Sequence, residues 1–301
     1  MKMRGIPRAL LGTLALTAAV SVSWAAQPPG APPPPRSARE GAQADLTGNW
    51  VAQVTEDWRW RMLTAPIGDA EGVPLNPAGV EFSKKWNLEA DNAGGNQCKA
   101  FGAAAIMRQP TRVRVSWADD NTLKFEMDSG TQTRLFNFVP PSQASAERTL
   151  QGTSVAQWMR PPPAFNGNTL NQQVGLPGRA PAVRPAAPAA PAGPPVARGS
   201  LKVNTTNLKA GYLRRNGIPY SDNAVMTEYY DRVNFFGIDY LQVTTVVVDP
   251  AYLTVPFVVS NQFKREPDGS KWNATPCHTD PPGKTSPPVG TFNGQDGRLP
   301  R

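Results

Sequence analysis

Residues 45–63, DLTGNWVAQVTEDWRWRML, decide how the rest of the chain is read. A turn signal opens the stretch, and strict alternation follows. Trp50, Ala52, Val54, Glu56, Trp58, Trp60 and Met62 fall on one face of an extended strand. Val51, Gln53, Thr55, Asp57, Arg59, Arg61 and Leu63 fall on the other. The first face is apolar and aromatic except for Glu56, whereas the second is mostly polar. A strand with one face on a core and one in water reads this way. The downstream chain must then supply a cover for the aromatic face.

The following segments repeat the pattern. Arg112–Trp117 alternates, with Val113, Val115 and Trp117 together. Leu123, Phe125 and Met127 share one face of the next run, and Thr131–Val139 sets Arg134, Phe136 and Phe138 opposite Thr133 and Leu135. Turn residues Asp119-Asp120-Asn121 and Ser129-Gly130 separate these runs, giving a meander. Gly152–Trp158, Leu201–Leu208, Ala224–Val233, Asp239–Val248 and Phe257–Arg265 read as further strands. Pro77–Trp86 reads as a short helix, Ala210–Asp222 as a loop turning at Asn216-Gly217, and Cys98–Arg108 as a buried connector. The expected fold is all-β: an antiparallel, lipocalin-like barrel of about nine strands with little helix, or an open β-sandwich in its place.

The ends and one internal stretch have a different composition. Residues 1–25 read as a secretory signal: Lys2, Arg4 and Arg8 precede the apolar run Ala9–Val22, and Ser23-Trp24-Ala25 offers a cleavage site. Residues 26–44 read as a disordered leader and 278–301 as a disordered tail, flanking a single domain over 45–277. Residues 161–198 hold ten prolines and no acidic residue, and read as a disordered insertion in a hairpin of that domain. The chain carries +8; without the three basic residues of the signal it keeps 28 Lys and Arg against 23 Asp and Glu, or +5. These cations are scattered, which argues against nucleic acid as a partner. The expected protein is periplasmic or secreted, soluble and monomeric, with no membrane insertion once the signal is gone. Its two cysteines, Cys98 and Cys277, are expected to form a disulfide in that compartment.

Two resemblances emerge from these runs. Gly48-Asn49-Trp50 resembles the Gly-x-Trp opening of lipocalin-like and avidin-like barrels. That resemblance implies a Trp closing one barrel end, a basic residue of the final strand over it, and a small ligand at the other end. Antiparallel pairing of the first and last strands would likewise put Arg265 or Lys264 over the Trp50 indole. Residues 98–265 resemble a family of exported bacterial β-rich proteins of unknown function, through IMRQPTRV (106–113), GTQTRLF (130–136), GTSVAQW (152–158), LKVNTT (201–206), YSDNAVMTEYYDR (220–232) and VVVDPAYLTVPF (246–257). This second resemblance implies fold and export and supplies no reaction.

Few side chains stand out chemically. Glu56 is a carboxylate on an aromatic face, suited to ligand binding or acid–base work if it lines a cavity, and otherwise to an ion pair at a strand end. Glu228 and Arg232 share one strand face and either join Arg134 in an interior cluster or form a solvent-side ladder. Trp58, Trp60 and Tyr220 are candidate ligand contacts, with packing as the alternative. Ser154 has no glycine two residues on and His278 is the sole histidine, which excludes a hydrolase triad; neither a metal site nor a cofactor is expected. The function expected is binding of a small, partly apolar ligand in the barrel, without catalysis. The alternatives are a metal-independent enzyme using Glu56, Arg134 and Glu228, or a structural or partner-docking module.

Overall fold

The computed structural model describes residues 36–141, 147–159 and 199–283. The expected signal, most of the leader, the 161–198 insertion and the end of the tail lie outside the described residues.

In chain order the elements are β1 (Gly48–Gln53), α1 (Trp58–Arg61), α2 (Pro77–Lys84), α3 (Leu88–Ala93), a 3-10 turn (Gln97–Phe101) and α4 (Ala103–Ile106). Next come β2 (Arg112–Asp119), β3 (Thr122–Met127), β4 (Ser129–Gly130), β5 (Gln132–Asn137), β6 (Thr153–Met159) and β7 (Ser200–Thr206). The last are β8 (Gly211–Arg214), β9 (Ile218–Tyr220), β10 (Val225–Phe235), β11 (Ile238–Val248), β12 (Phe257–Glu266) and β13 (Thr275–Pro276). Nine of these strands close a barrel in the order β1-β2-β3-β5-β6-β7-β10-β11-β12, and β12 returns to β1. The chain is thus mostly β around a closed barrel, as its alternation implies, and not an open sandwich.

The barrel departs from the expected all-antiparallel form at one seam. Directions that alternate around a closed ring cannot match when the strand number is odd, so one neighbouring pair must run parallel. That pair is β5–β6, registered only through Phe136↔Ser154 and Asn137↔Val155. Between these strands the chain returns from one rim to the other: Phe138 N donates to Asn121 O near the end of β5, whereas Gln151 Nε2 donates to Gln132 Oε1 at its start.

β1 ends sooner than the alternation suggested. Pairing with β12 and β2 stops at Gln53, and Asp57 takes a left-handed conformation (φ 52°) that turns the chain into α1. The turn is drawn in by Arg61, whose Nε donates to Arg108 O (2.9 Å) and Nη1 to Gln53 O (3.3 Å), with Glu56 also paired to it. A continued strand would hold this guanidinium in solvent; the turn satisfies it beneath the barrel. Trp58 is consequently 56 % exposed rather than a core residue.

Closure places Trp50 opposite Arg265 in the β1–β12 register, and the guanidinium carbon stands 5.4 Å from the indole centroid. Trp50 is fully buried and its Nε1 donates to Leu46 O. Gly48, with φ 126°, leaves room for this stack: a Cβ there would stand 3.0 Å from Arg265 Nη2. The expected cation–π closure is therefore present. On this rim, residues expected to belong to the leader lie against the barrel, since Trp158 Nε1 donates to Ala38 O and Ala38 N to Asn121 Oδ1.

The opposite rim, where β1 ends, is covered by α1–α4 and by β8–β9. The sequence 210–222 was expected to be a loop; it forms a buried hairpin because Leu213, Ile218 and Tyr220 join an apolar cluster with Ala103, Ala104, Met226, Val247 and Phe257. Cys98 and Cys277 are bonded, with Cα atoms 5.0 Å apart, tying the 3-10 turn to β13, which pairs with β4. The expected tail begins later than residue 278, because His278 packs 5.8 Å from Phe101 and Asp280 is buried.

Two outcomes test this architecture. Replacing Cys98 and Cys277 by Ala should lower unfolding free energy by up to about 5 kcal/mol, the chain-entropy figure for so long a loop, as read in denaturant titrations. Met159 pairs with Ser200 across an antiparallel β6–β7 ladder. Replacing residues 160–199 by Asn-Gly should therefore give a two-residue hairpin that keeps a single cooperative melt.

Candidate functional site

The interior of the barrel carries one polar layer. Alternation points Arg134 of β5 and Glu228 of β10 inward, and each side chain is fully buried. Arg134 Nη1 donates to Glu228 Oε1 (3.0 Å) and Nη2 to Oε2 (2.6 Å), a bidentate pair. Nη1 also reaches the Tyr230 hydroxyl (3.3 Å) and Nη2 the Thr205 hydroxyl (3.4 Å), which is bonded to Ser154 Oγ (2.8 Å). Phe125, Phe136 and Tyr230 pack with ring centroids 4.5–5.4 Å apart, and Arg134 lies 4.9 Å over Phe136. Burial is the largest single influence on Arg134 and lowers its pKa, but the charges of and hydrogen bonds to Glu228 and Tyr230 together outweigh it and the net shift is upward. Burial raises the phenols of Tyr220 and Tyr230 well above their ordinary range, so neither ionises near neutrality.

Glu228 therefore faces the barrel interior and is not part of a solvent-side ladder. Arg232, four residues along β10, does not join it. Its Nη2 pairs with Asp239 (2.6 Å) and its Nη1 donates to Asp45 O (2.8 Å), at the rim where β1 begins. Tyr220 is buried beside this layer, and its hydroxyl has no hydrogen-bond partner among the described residues. Glu56 lies at the other rim: Oε1 accepts from Arg61 and from Asn261 Nδ2 (3.1 Å), and Oε2 from Thr55 Oγ1 (2.6 Å). The expected candidates thus fall at three places: Arg134, Glu228 and Tyr220 at the interior layer, Arg232 at the rim where β1 begins, and Glu56, Trp58 and Trp60 at the other rim.

A second polar cluster, not anticipated from the sequence, surrounds Glu56 and Trp60. Arg61 on α1, Arg108 after α4 and Arg214 on β8 are all at least nine-tenths buried. Arg61 pairs with Glu56, and Arg108 Nη2 pairs with Asp57 (3.0 Å). Arg214 has no carboxylate within 4.0 Å among the described residues. Its Nη2 donates to Glu71 O (2.7 Å), and its guanidinium carbon stacks 4.6 Å from the Trp60 centroid. Arg61 Nη2, Arg108 Nη1, and Arg214 Nε and Nη1 are buried without a hydrogen-bond partner. Burial lowers Arg61 to about 10 against the pull of Glu56, and Arg108 lowers it further. Burial likewise lowers Arg214 to about 10, again with help from the Arg108 charge. All remain cations at neutral pH; Arg214 feels the opposing charges of Asp57, Asp69 and Glu71 but forms no ion pair within 4.0 Å among the described residues.

This cluster backs onto a cleft of about 520 Å³ lined by Gly72, Val73, Pro74, Pro256, Phe257 and Val258. Arg108 lies 5.6 Å over the Phe257 ring, and a Cβ on Gly72 would stand 3.7 Å from Arg214 Nη2. The residues that build it were hidden in segments read as connector (CKAFGAAAIMR) and loop (AGYLRRNG). The available signal was arginine placed directly beside small or apolar runs. Among the described residues no three His, Cys, Asp or Glu side chains gather as a metal site, and no helix is long and apolar enough to cross a membrane. Comparison with family models, curated proteins and solved structures finds no match for this chain.

The interior pair has a measurable signature. Arg134→Met or Glu228→Leu alone should each cost about 3–5 kcal/mol, because the remaining charge is stranded in the core. The double variant should lose less than either single one in urea unfolding, since both charges are then gone.

Proposed function

We propose that this is an exported, monomeric binding protein that holds a small, partly apolar molecule at the barrel rim where β1 ends. The observation that carries the reading is the cleft bounded by Val73, Pro74, Pro256, Phe257 and Val258, whose Phe257 lies under Arg108 and whose Gly72 lies beside Arg214, two buried guanidinium groups that keep donors without partners. Binding sites are commonly concave and apolar with a few convergent polar groups. The lumen itself is a poorer host, because Trp50, Phe125, Phe136, Tyr230, Phe263 and the Arg134–Glu228 pair occupy it. Binding is favoured over catalysis because both unusual carboxylates, Glu56 and Glu228, are engaged by guanidinium groups. The disulfide suits an oxidising compartment, in keeping with export.

Native mass spectrometry of protein purified from its own host should show a retained molecule that leaves on denaturation. Val258→Glu, an exposed change on the cleft wall, should abolish the adduct without changing the melting temperature by more than a few degrees. Recovery of bare wild-type protein from every growth condition would overturn the reading.

A further inference from the structure

We infer that the ligand of this rim cleft is an organic anion, a carboxylate on an apolar body, whose head pairs with Arg214. The inference rests on ligand binding at the cleft and names the chemistry that the site selects.

Among the described residues the other buried arginines each have a carboxylate partner. Arg61 has Glu56, Arg108 has Asp57, Arg112 has Glu266 (2.8 Å) and Arg134 has Glu228. Arg214 is only 4 % exposed and lacks such a partner among the described residues. An isolated buried guanidinium is costly, and its cost falls when an anion joins it. Two of its nitrogens, Nε and Nη1, are free of protein acceptors, and Arg108 adds a third unpartnered donor, Nη1, from a guanidinium whose charge Arg214 feels. Trp60 fixes the plane of Arg214 by stacking, so the donors are held rather than searching.

Access is guarded by a thin cover. Arg214 Nη2 is capped by the Glu71 carbonyl alone, and the next residue, Gly72, is exposed, has φ 76° and bears no side chain. A carboxylate that replaces this carbonyl exchanges a neutral acceptor for a charged one, a stronger hydrogen bond. The side chains beyond Gly72 are those of Val73, Pro74, Pro256, Phe257 and Val258, so a bare inorganic anion would leave them uncovered. An amphipathic acid satisfies the donors and the walls together.

Isothermal titration on the full disulfide-bonded protein, stripped of adducts, provides the test, with octanoate, octanamide and inorganic phosphate as probes. Octanoate should bind saturably, and octanamide and phosphate each about tenfold more weakly or worse, the factor expected for losing a charge-assisted contact or the apolar contacts. Arg214→Gln should weaken octanoate binding by a similar factor, and Arg214→Lys should restore part of it. Arg214→Gln should also leave the melting temperature of the stripped protein unchanged or higher, since it removes a buried charge that has no ion pair within 4.0 Å among the described residues. Equal binding of octanoate and octanamide, phosphate binding as tight as octanoate, or undiminished octanoate binding by Arg214→Gln would overturn the inference. A neutral molecule retained from the host, together with no octanoate binding, would overturn it while leaving ligand binding at the cleft intact. A stripped Arg214→Gln protein that melts lower would assign Arg214 a structural role instead.

Discussion

An odd number of strands in a closed ring is the constraint on which this architecture turns. Eight or ten strands could alternate without interruption; nine cannot, and one seam must be parallel. A parallel neighbour cannot be reached by a tight turn, so the chain must leave the end of β5 and come back to its start before β6. That return shapes the rim where β1 ends. Leu150 O accepts from Ala103 N at the start of α4, Thr149 bridges to Leu208, and Gln151 Nε2 donates to Phe101 O. The connection forced by topology is thus the one that anchors α4 and the 3-10 turn, and through Cys98 the disulfide as well.

The polar layer of Arg134 and Glu228 has a second consequence for the core. On β10 it falls between Tyr230, which belongs to the aromatic cluster of the barrel, and Met226, which belongs to the cluster beneath β8–β9. Two apolar volumes are therefore stacked with a bidentate ion pair between them. Such a pair adds little net stability relative to apolar residues of like volume, because desolvation offsets attraction. Its geometric demand is high, however: both oxygens and both terminal nitrogens are committed, which fixes the relative height of β5 and β10 across the lumen.

Much of the barrel was legible because period-two alternation survives wherever one face is buried. The inward sets Val113/Val115, Leu123/Phe125/Met127, Arg134/Phe136 and Met226/Glu228/Tyr230 all follow it. The pairing of Trp50 with Arg265 and of Cys98 with Cys277 was likewise within reach, since strand order, chain ends and cysteine count constrain them. What failed was the continuation 54–63. Trp-Arg-Trp-Arg alternates as a strand would, yet the capture of Arg61 by Gln53 O and Glu56 is completed by Arg108 O, 47 positions away. Alternation also could not say whether Glu228 faced the lumen or water, because the sign of a face is set by tertiary partners. The rim cluster was illegible for the same reason: Arg61, Arg108 and Arg214 come from three separate segments.

The contrast between the two arginine sites separates architecture from function. In the lumen, Glu228 pairs with both terminal nitrogens of Arg134, and Nε alone has no partner among the described residues. At the rim, Arg61 and Arg108 are matched by Glu56 and Asp57, and Arg214 is not. Were the rim built for stability alone, a neutral side chain stacked on Trp60 would serve better than a cation held near Arg108, whose charge disfavours it. Asp57, Asp69 and Glu71 offset part of the cost of burying that cation, and on the proposed reading an incoming anion would offset more. On the proposed reading, Arg214, beside the cleft and under a cover of one carbonyl and one glycine, is where an anion from outside the chain would pair.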